Sequence, residues 1–142
     1  MSLWHLFPDN RYYEKIGKNE PVDITDELAT LEIPNEWIWV RFSHIFEIQT
    51  GASFKKEEAK KECFDNSIRI LRGGNIRPFM YDLKPDDLYI MKDLNEFNNN
   101  LQCNTLITPA VTNIENIGKI ARIDKLLINT NVGGFVYKVS WI

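Results

Sequence analysis

Ile33-Pro34-Asn35-Glu36-Trp37-Ile38-Trp39-Val40-Arg41-Phe42 decides how this chain is divided. Proline biases the residue before it away from the α region, and Asn35-Glu36 supplies a polar turn. Trp37, Ile38, Trp39 and Val40 then make a run of β-favouring side chains. The stretch therefore predicts the entry into a folded domain on a bulky first strand. Upstream lies a polar leader with Pro8, Gly17 and Pro21 and no sustained periodicity. Asp23 to Leu31 is expected to form one or two helical turns capped by Thr25 or Asp26.

Charge divides at the same place. Residues 1–36 hold eight acids and three bases, a net of −5, against −3 for all 142 residues. The remainder therefore carries 14 bases and 12 acids, a net of +2. Residues 50–80 concentrate the basic character, with seven bases (Lys55, Lys56, Lys60, Lys61, Arg69, Arg72, Arg77) against four acids. Exposed charges are screened beyond about 8–10 Å, so a local patch can attract phosphate even on an acidic protein. The competing account of Lys55 to Glu62 is a solvated helix face with i,i+4 pairs.

Downstream, a short Ser43-capped turn is expected over His44 to Ile48, and Gly51 ends that element. A charged helical or loop stretch is expected over 55–64. Strands are expected at Ile68–Arg72, Leu88–Ile90, Thr105–Thr108 and Phe135–Val139, with a hairpin-like return at Gly118–Ile123. The expected fold class is α+β: a strand-rich mixed domain with a twisted sheet and a few short helices. The expected organisation is an acidic leader over 1–32 and one domain over 33–142, whose closing structure lies partly outside the chain.

Catalytic patterns are missing from the sequence. The chain has no HExxH, GxSxG, P-loop or GxGxxG motif, and His5 and His44 are each read as a surface or capping histidine. Asp86-Asp87 is better explained as turn chemistry than as an acid–base pair. Cys63 and Cys103 lack metal-ligand spacing and are expected to be free thiols in a cytoplasmic protein. No apolar run approaches the ~20 residues that span a bilayer. The chain is accordingly read as a non-enzyme with no cofactor, no metal and no membrane association.

Three loops carry groups suited to nucleic acid. Arg72, Gly73, Gly74, Asn75 and Arg77 cluster at a strand end, where arginine can grip a phosphate or a guanine edge and asparagine can pair with adenine. Ser53, Lys55 and Lys56 offer a small hydroxyl beside lysines, fitting a phosphate-positioning loop. Thr112 and Asn113 sit at a loop tip with donors and acceptors. Each has a plain structural alternative: a tight turn, a connection and surface filler. Trp37, Trp39 and Trp141 are assigned to the core or an interface, not to base stacking.

In order and spacing, "IPNEWIWVRFSHIFEIQTG" (33–51), "LRGGNI" (71–76), "LITPAVTNIENIGKIARI" (106–123) and "NVGGFVYKV" (131–139) resemble target-recognition domains of type I restriction–modification specificity subunits. "YYEKIGKNEPVDITDELATLEIP" (12–34) resembles the segment that precedes such a domain. Here Pro109 to Gly118 stands where many relatives have a Ser/Gly-rich turn. The resemblance implies sequence-specific recognition of one half of a bipartite target in double-stranded DNA, within a prokaryotic defence complex. It also implies partnership with methyltransferase (modification) subunits and a restriction subunit. Lys55, Lys56, Arg72 and Arg77 would position phosphates, and Ser53, Asn75, Thr112 and Asn113 would face base edges. Two rival readings are the recognition domain of a fused methyltransferase–nuclease, and a protein-interaction module that does not bind DNA.

Overall fold

The computed structural model describes residues 2–6, 11–28, 33–34, 36–37, 39–92, 99–110 and 113–142. They fall into two compact units, Met1–Ile45 and Phe46–Ile142.

The first unit is built on an antiparallel sheet of β1 (Ser2–Leu6), β2 (Tyr12–Ile16) and β3 (Val22–Asp23), in that order. Gly17, at φ +61°, turns the chain out of β2, a conformation that costs glycine nothing. The helical expectation over 23–31 reduces to α1 (Thr25–Leu28), where the Asp23 carboxylate accepts the Thr25 N–H at 3.0 Å. Residues 29–32 lie outside the described set. Glu14, only 5% exposed, faces Arg41 through two hydrogen bonds of 2.6 Å. Such a bidentate pair offsets the cost of burying a carboxylate.

The Trp37–Val40 strand is not formed at its described positions. The Trp37 N–H closes a turn onto the Pro34 carbonyl at 2.9 Å, and Trp37 is 66% exposed. The chain then enters a 3₁₀ turn at Phe42–His44, so Ser43 lies inside the turn and Arg41 at its cap. β propensity is expressed only where a neighbouring strand offers a ladder and a surface to pack on, and none pairs here. Ile38 lies outside the described residues.

In the second unit, β4 (Phe46–Thr50), β9 (Leu106–Pro109), β10 (Ala121–Arg122) and β12 (Val136–Trp141) form an antiparallel sheet in the order β10-β9-β12-β4. A second sheet, β11-β5-β8, joins β5 (Ser67–Leu71) to β8 (Leu88–Met91) antiparallel and to β11 (Thr130–Val132) parallel. A separate two-stranded hairpin pairs β6 (Ile76–Arg77) with β7 (Met80–Tyr81). Central β5 is buried along nearly its whole length, as flanking on both sides requires. Leu71, Ile76, Leu101, Ile107, Ile123 and Val132 belong to one buried cluster; Ile68, Ile70 and Ile90 belong to another. Each such side chain contributes about 1.5–3 kcal/mol by leaving water.

The α+β expectation is therefore corrected: the protein is strand-dominated. Among the described residues only the four residues of α1 are α-helical. The charged stretch 55–64 makes only the 3₁₀ turn Lys56–Glu58. A short helix gains its stability from an apolar face laid on the core, and this stretch offers little beyond Ala59 and Phe64 for that purpose. Among the described residues no helix is long and apolar enough to cross a membrane.

Candidate nucleic-acid interface

Parallel pairing of β5 with β11 sets Leu71 beside Val132. The chain leaving β5 at Arg72 and the chain leaving β11 at Gly133 therefore emerge together, and the Gly133 N–H donates to the Leu71 carbonyl at 2.9 Å. A third segment joins them: Ala52 bridges Gly133, with its N–H 2.8 Å from the Val132 carbonyl. Gly51 makes this approach possible, because a Cβ there would lie 2.1 Å from the Val132 oxygen. No other residue fits without moving backbone.

These three segments wall a cleft of about 870 Å³. Its floor is apolar, made by Ala52, Phe54, Ala59, Leu88 and Val136. Exposed Lys56, Lys61 and Arg72 stand on its rim, together with Phe135, which is 83% exposed. No carboxylate lines it. None of the three cations has an ion-pair partner among the described residues, whereas Arg11, Arg41, Arg69 and Arg77 are all paired. The cleft thus carries positive charge that the protein leaves unbalanced, the arrangement that attracts an anion.

The Arg72 loop is held rigidly from beneath. Gly73–Asn75 is a 3₁₀ turn, and Asn75 is 1% exposed. Its Oδ1 accepts the Arg72 N–H at 2.9 Å; its Nδ2 donates to the Asp82 carbonyl at 2.9 Å and to Asp87 Oδ1 at 2.6 Å. Asp87, fully buried, also accepts the Lys84 N–H at 2.8 Å and lies 3.7 Å from Arg69 Nε. So Asn75, expected at a base edge, has its amide occupied within the loop and positions Arg72 instead. The turn expected at Asp86-Asp87 is present, with the Asp87 N–H on the Lys84 carbonyl at 3.2 Å, but the Asp87 carboxylate is also the centre of this network.

The other expected contact residues separate into groups. Ser53, Lys56, Arg72 and Gly73 come together on the one cleft. Lys55 is exposed next to it, its N–H bonded to Glu58 at 2.8 Å. Gly74 gives its carbonyl to the Lys84 ammonium at 2.6 Å. Arg77 is paired with Asp82, which leaves it a weaker candidate for phosphate. Asn113 is exposed ahead of a 3₁₀ turn at Ile114–Asn116; Thr112 lies outside the described residues. That loop begins near the cleft, since the Ala110 N–H donates to the Phe135 carbonyl at 2.8 Å.

Phe54, Lys61 and Phe135 were not singled out from sequence as ligand contacts. The only local signal was the second glycine pair, Gly133-Gly134, ahead of an aromatic residue. Trp141, assigned to core or interface, is 66% exposed and packs on Phe46 with ring centroids 4.4 Å apart and planes tilted by 43°. Both cysteines are free and exposed. Among the described residues no group of three or more His, Cys, Asp or Glu side chains is placed to hold a metal ion. No family model, curated protein or solved structure matches the chain.

Proposed function

We propose that this protein recognises double-stranded DNA, as a target-recognition domain of the type I specificity-subunit kind, and that the rim of the cationic cleft grips the backbone. One observation carries the reading: Lys56, Lys61 and Arg72 converge on a cleft with no carboxylate, and none of them is paired among the described residues. Phosphate contacts of this type fix register and orientation but do not read sequence. Sequence would be read by the loops beside the rim, with Ser53 and Asn113 as the exposed candidates. Methyltransferase and restriction subunits are the partners this reading implies. A fused methyltransferase–nuclease would change the partner and leave the chemistry of this piece the same.

The test is selection from a pool of random duplexes at 50 mM salt, followed by sequencing of the bound fraction. Enrichment of a short common motif is expected. Binding without enrichment would reduce the protein to a non-specific DNA binder, and absence of binding would remove the reading. In that event the interaction-module alternative gains weight, because edge strand β4 presents Ile48 at 55% exposure next to the Phe46–Trp141 ring pair.

A further inference from the structure

The cleft has more than its charged rim to explain. A duplex backbone resting on Lys56, Lys61 and Arg72 would leave the apolar floor in water, because a duplex is far too wide to enter a cavity of about 870 Å³. That volume falls within the roughly 300–1,000 Å³ of pockets that enclose small organic ligands. Such pockets combine an apolar lining with a few placed polar groups, and this cleft does so with Ser53, three cations and no acid. Inorganic phosphate would satisfy the rim and not the floor; an uncharged ring would do the reverse.

Two aromatic rings narrow the ligand class further. Phe54 is half-buried in the floor, and Phe135 stands 83% exposed on the rim. Aromatics beside cations are how proteins hold unpaired nucleotides of a strand, by stacking the bases and neutralising the backbone. Gly73 adds an independent sign. Its backbone is not left-handed, and a Cβ there would come no nearer than 3.7 Å to another atom, the Pro109 Cβ. Neither conformation nor packing requires glycine at this position, and the missing side chain widens the cleft.

We infer that the cleft binds one nucleoside phosphate unit, its base against Phe54 and Phe135 and its phosphate among Lys56, Lys61 and Arg72. The unit is either a free mononucleotide or a nucleotide displaced from a strand; the second source rests on the DNA reading and deepens it. The experiment has two arms on the full chain. Calorimetric titration compares adenosine and thymidine 5′-monophosphates with inorganic phosphate. Fluorescence anisotropy compares an intact duplex with the same duplex carrying one bulged, unpaired nucleotide.

Either a mononucleotide bound at least tenfold more tightly than phosphate, or a bulged duplex preferred at least fivefold over the intact one, supports the inference and identifies the source. Phe135→Ala, at a surface position that folding does not need, should then weaken that binding roughly fivefold or more. Gly73→Leu should abolish it while the urea midpoint stays unchanged, and Lys92→Ala should leave it as it was. The inference is overturned if neither preference exists, or if it survives both Phe135→Ala and Gly73→Leu. Intact-duplex binding that persists in those cases keeps the DNA reading and rejects only the nucleotide pocket.

Discussion

Two clefts share the Ala52–Phe54 wall and differ in what leans into them. The cationic cleft collects Lys56, Lys61 and Arg72 with no acid, whereas its neighbour, of about 700 Å³, is lined by Glu58 and Lys92, one charge of each sign. The shared wall exists because Ala52 must bridge Gly133, so the shape of both clefts is a consequence of chain pairing. Their charge is a separate matter. Lys92 also donates to Asn129 at 3.2 Å, while the three cations opposite have no such side-chain bond among the described residues. A hollow produced by folding tells little about ligands; an uncompensated charge on its rim tells more.

The harshest way to break the comparison is to destroy both clefts together. Gly51→Ala forces a Cβ into the Val132 and Gly133 carbonyls, which lie within 2.5 Å of its position. Urea unfolding should show a loss of about 3 kcal/mol or more, as backbone must shift. Asp87→Ala should act on one side only. It strips the buried partner from Asn75, leaves the Lys84 N–H without an acceptor, and should cost about 2–3 kcal/mol. Because Asn75 holds Arg72, that variant should also loosen duplex binding while the neighbouring cleft keeps its form.

Much of the second unit was legible in the sequence, because alternation and turn residues are local signals. Ile68–Leu71, Leu88–Ile90, the β9–β10 return and the final strand all lie close to where their patterns place them. The cleft was only half legible. Its walls come from residues 52–54, 72–73 and 133–136, and their meeting depends on a parallel pairing between residues 61 positions apart, which no local pattern encodes. Asn75 misled for a similar reason: its partner Asp87 is twelve residues away, and burial of a polar pair leaves no periodic trace. The first unit hid its sheet because β2 reads Tyr-Tyr-Glu-Lys-Ile, with Glu14 buried and paired to Arg41. The tryptophan stretch erred in the other direction, since its strong propensity found no ladder.

Smaller effects sharpen the contrast. Arg72→Ala should weaken duplex binding about tenfold at 50 mM salt, the scale of one lost charge-assisted contact, whereas Lys92→Ala should change it by less than about twofold. Anisotropy on both variants decides whether the two clefts differ in use as well as in charge. A titration remote from both rims serves as a control. Burial, and then its hydrogen bond to Asp124 at 2.6 Å, pushes the Tyr81 hydroxyl from its ordinary value of 10.0 up to about 12. A raised folded value means stability that is complete below pH 10 and lost as pH climbs from 10 towards 12. Tyr81→Phe should flatten that loss in urea midpoints measured across this range, with DNA affinity at neutral pH unaltered.

The most direct test of the account is the salt dependence of duplex affinity, measured from 50 to 200 mM for the wild type and for the Lys56→Ala/Lys61→Ala/Arg72→Ala variant. Each phosphate neutralised contributes about 0.9 to the slope of log affinity against log salt. Three working contacts therefore predict a slope shallower by about 3 in the variant. Equal slopes in the two proteins, or an affinity in the wild type that does not fall with salt, would contradict the claim that this cleft holds DNA.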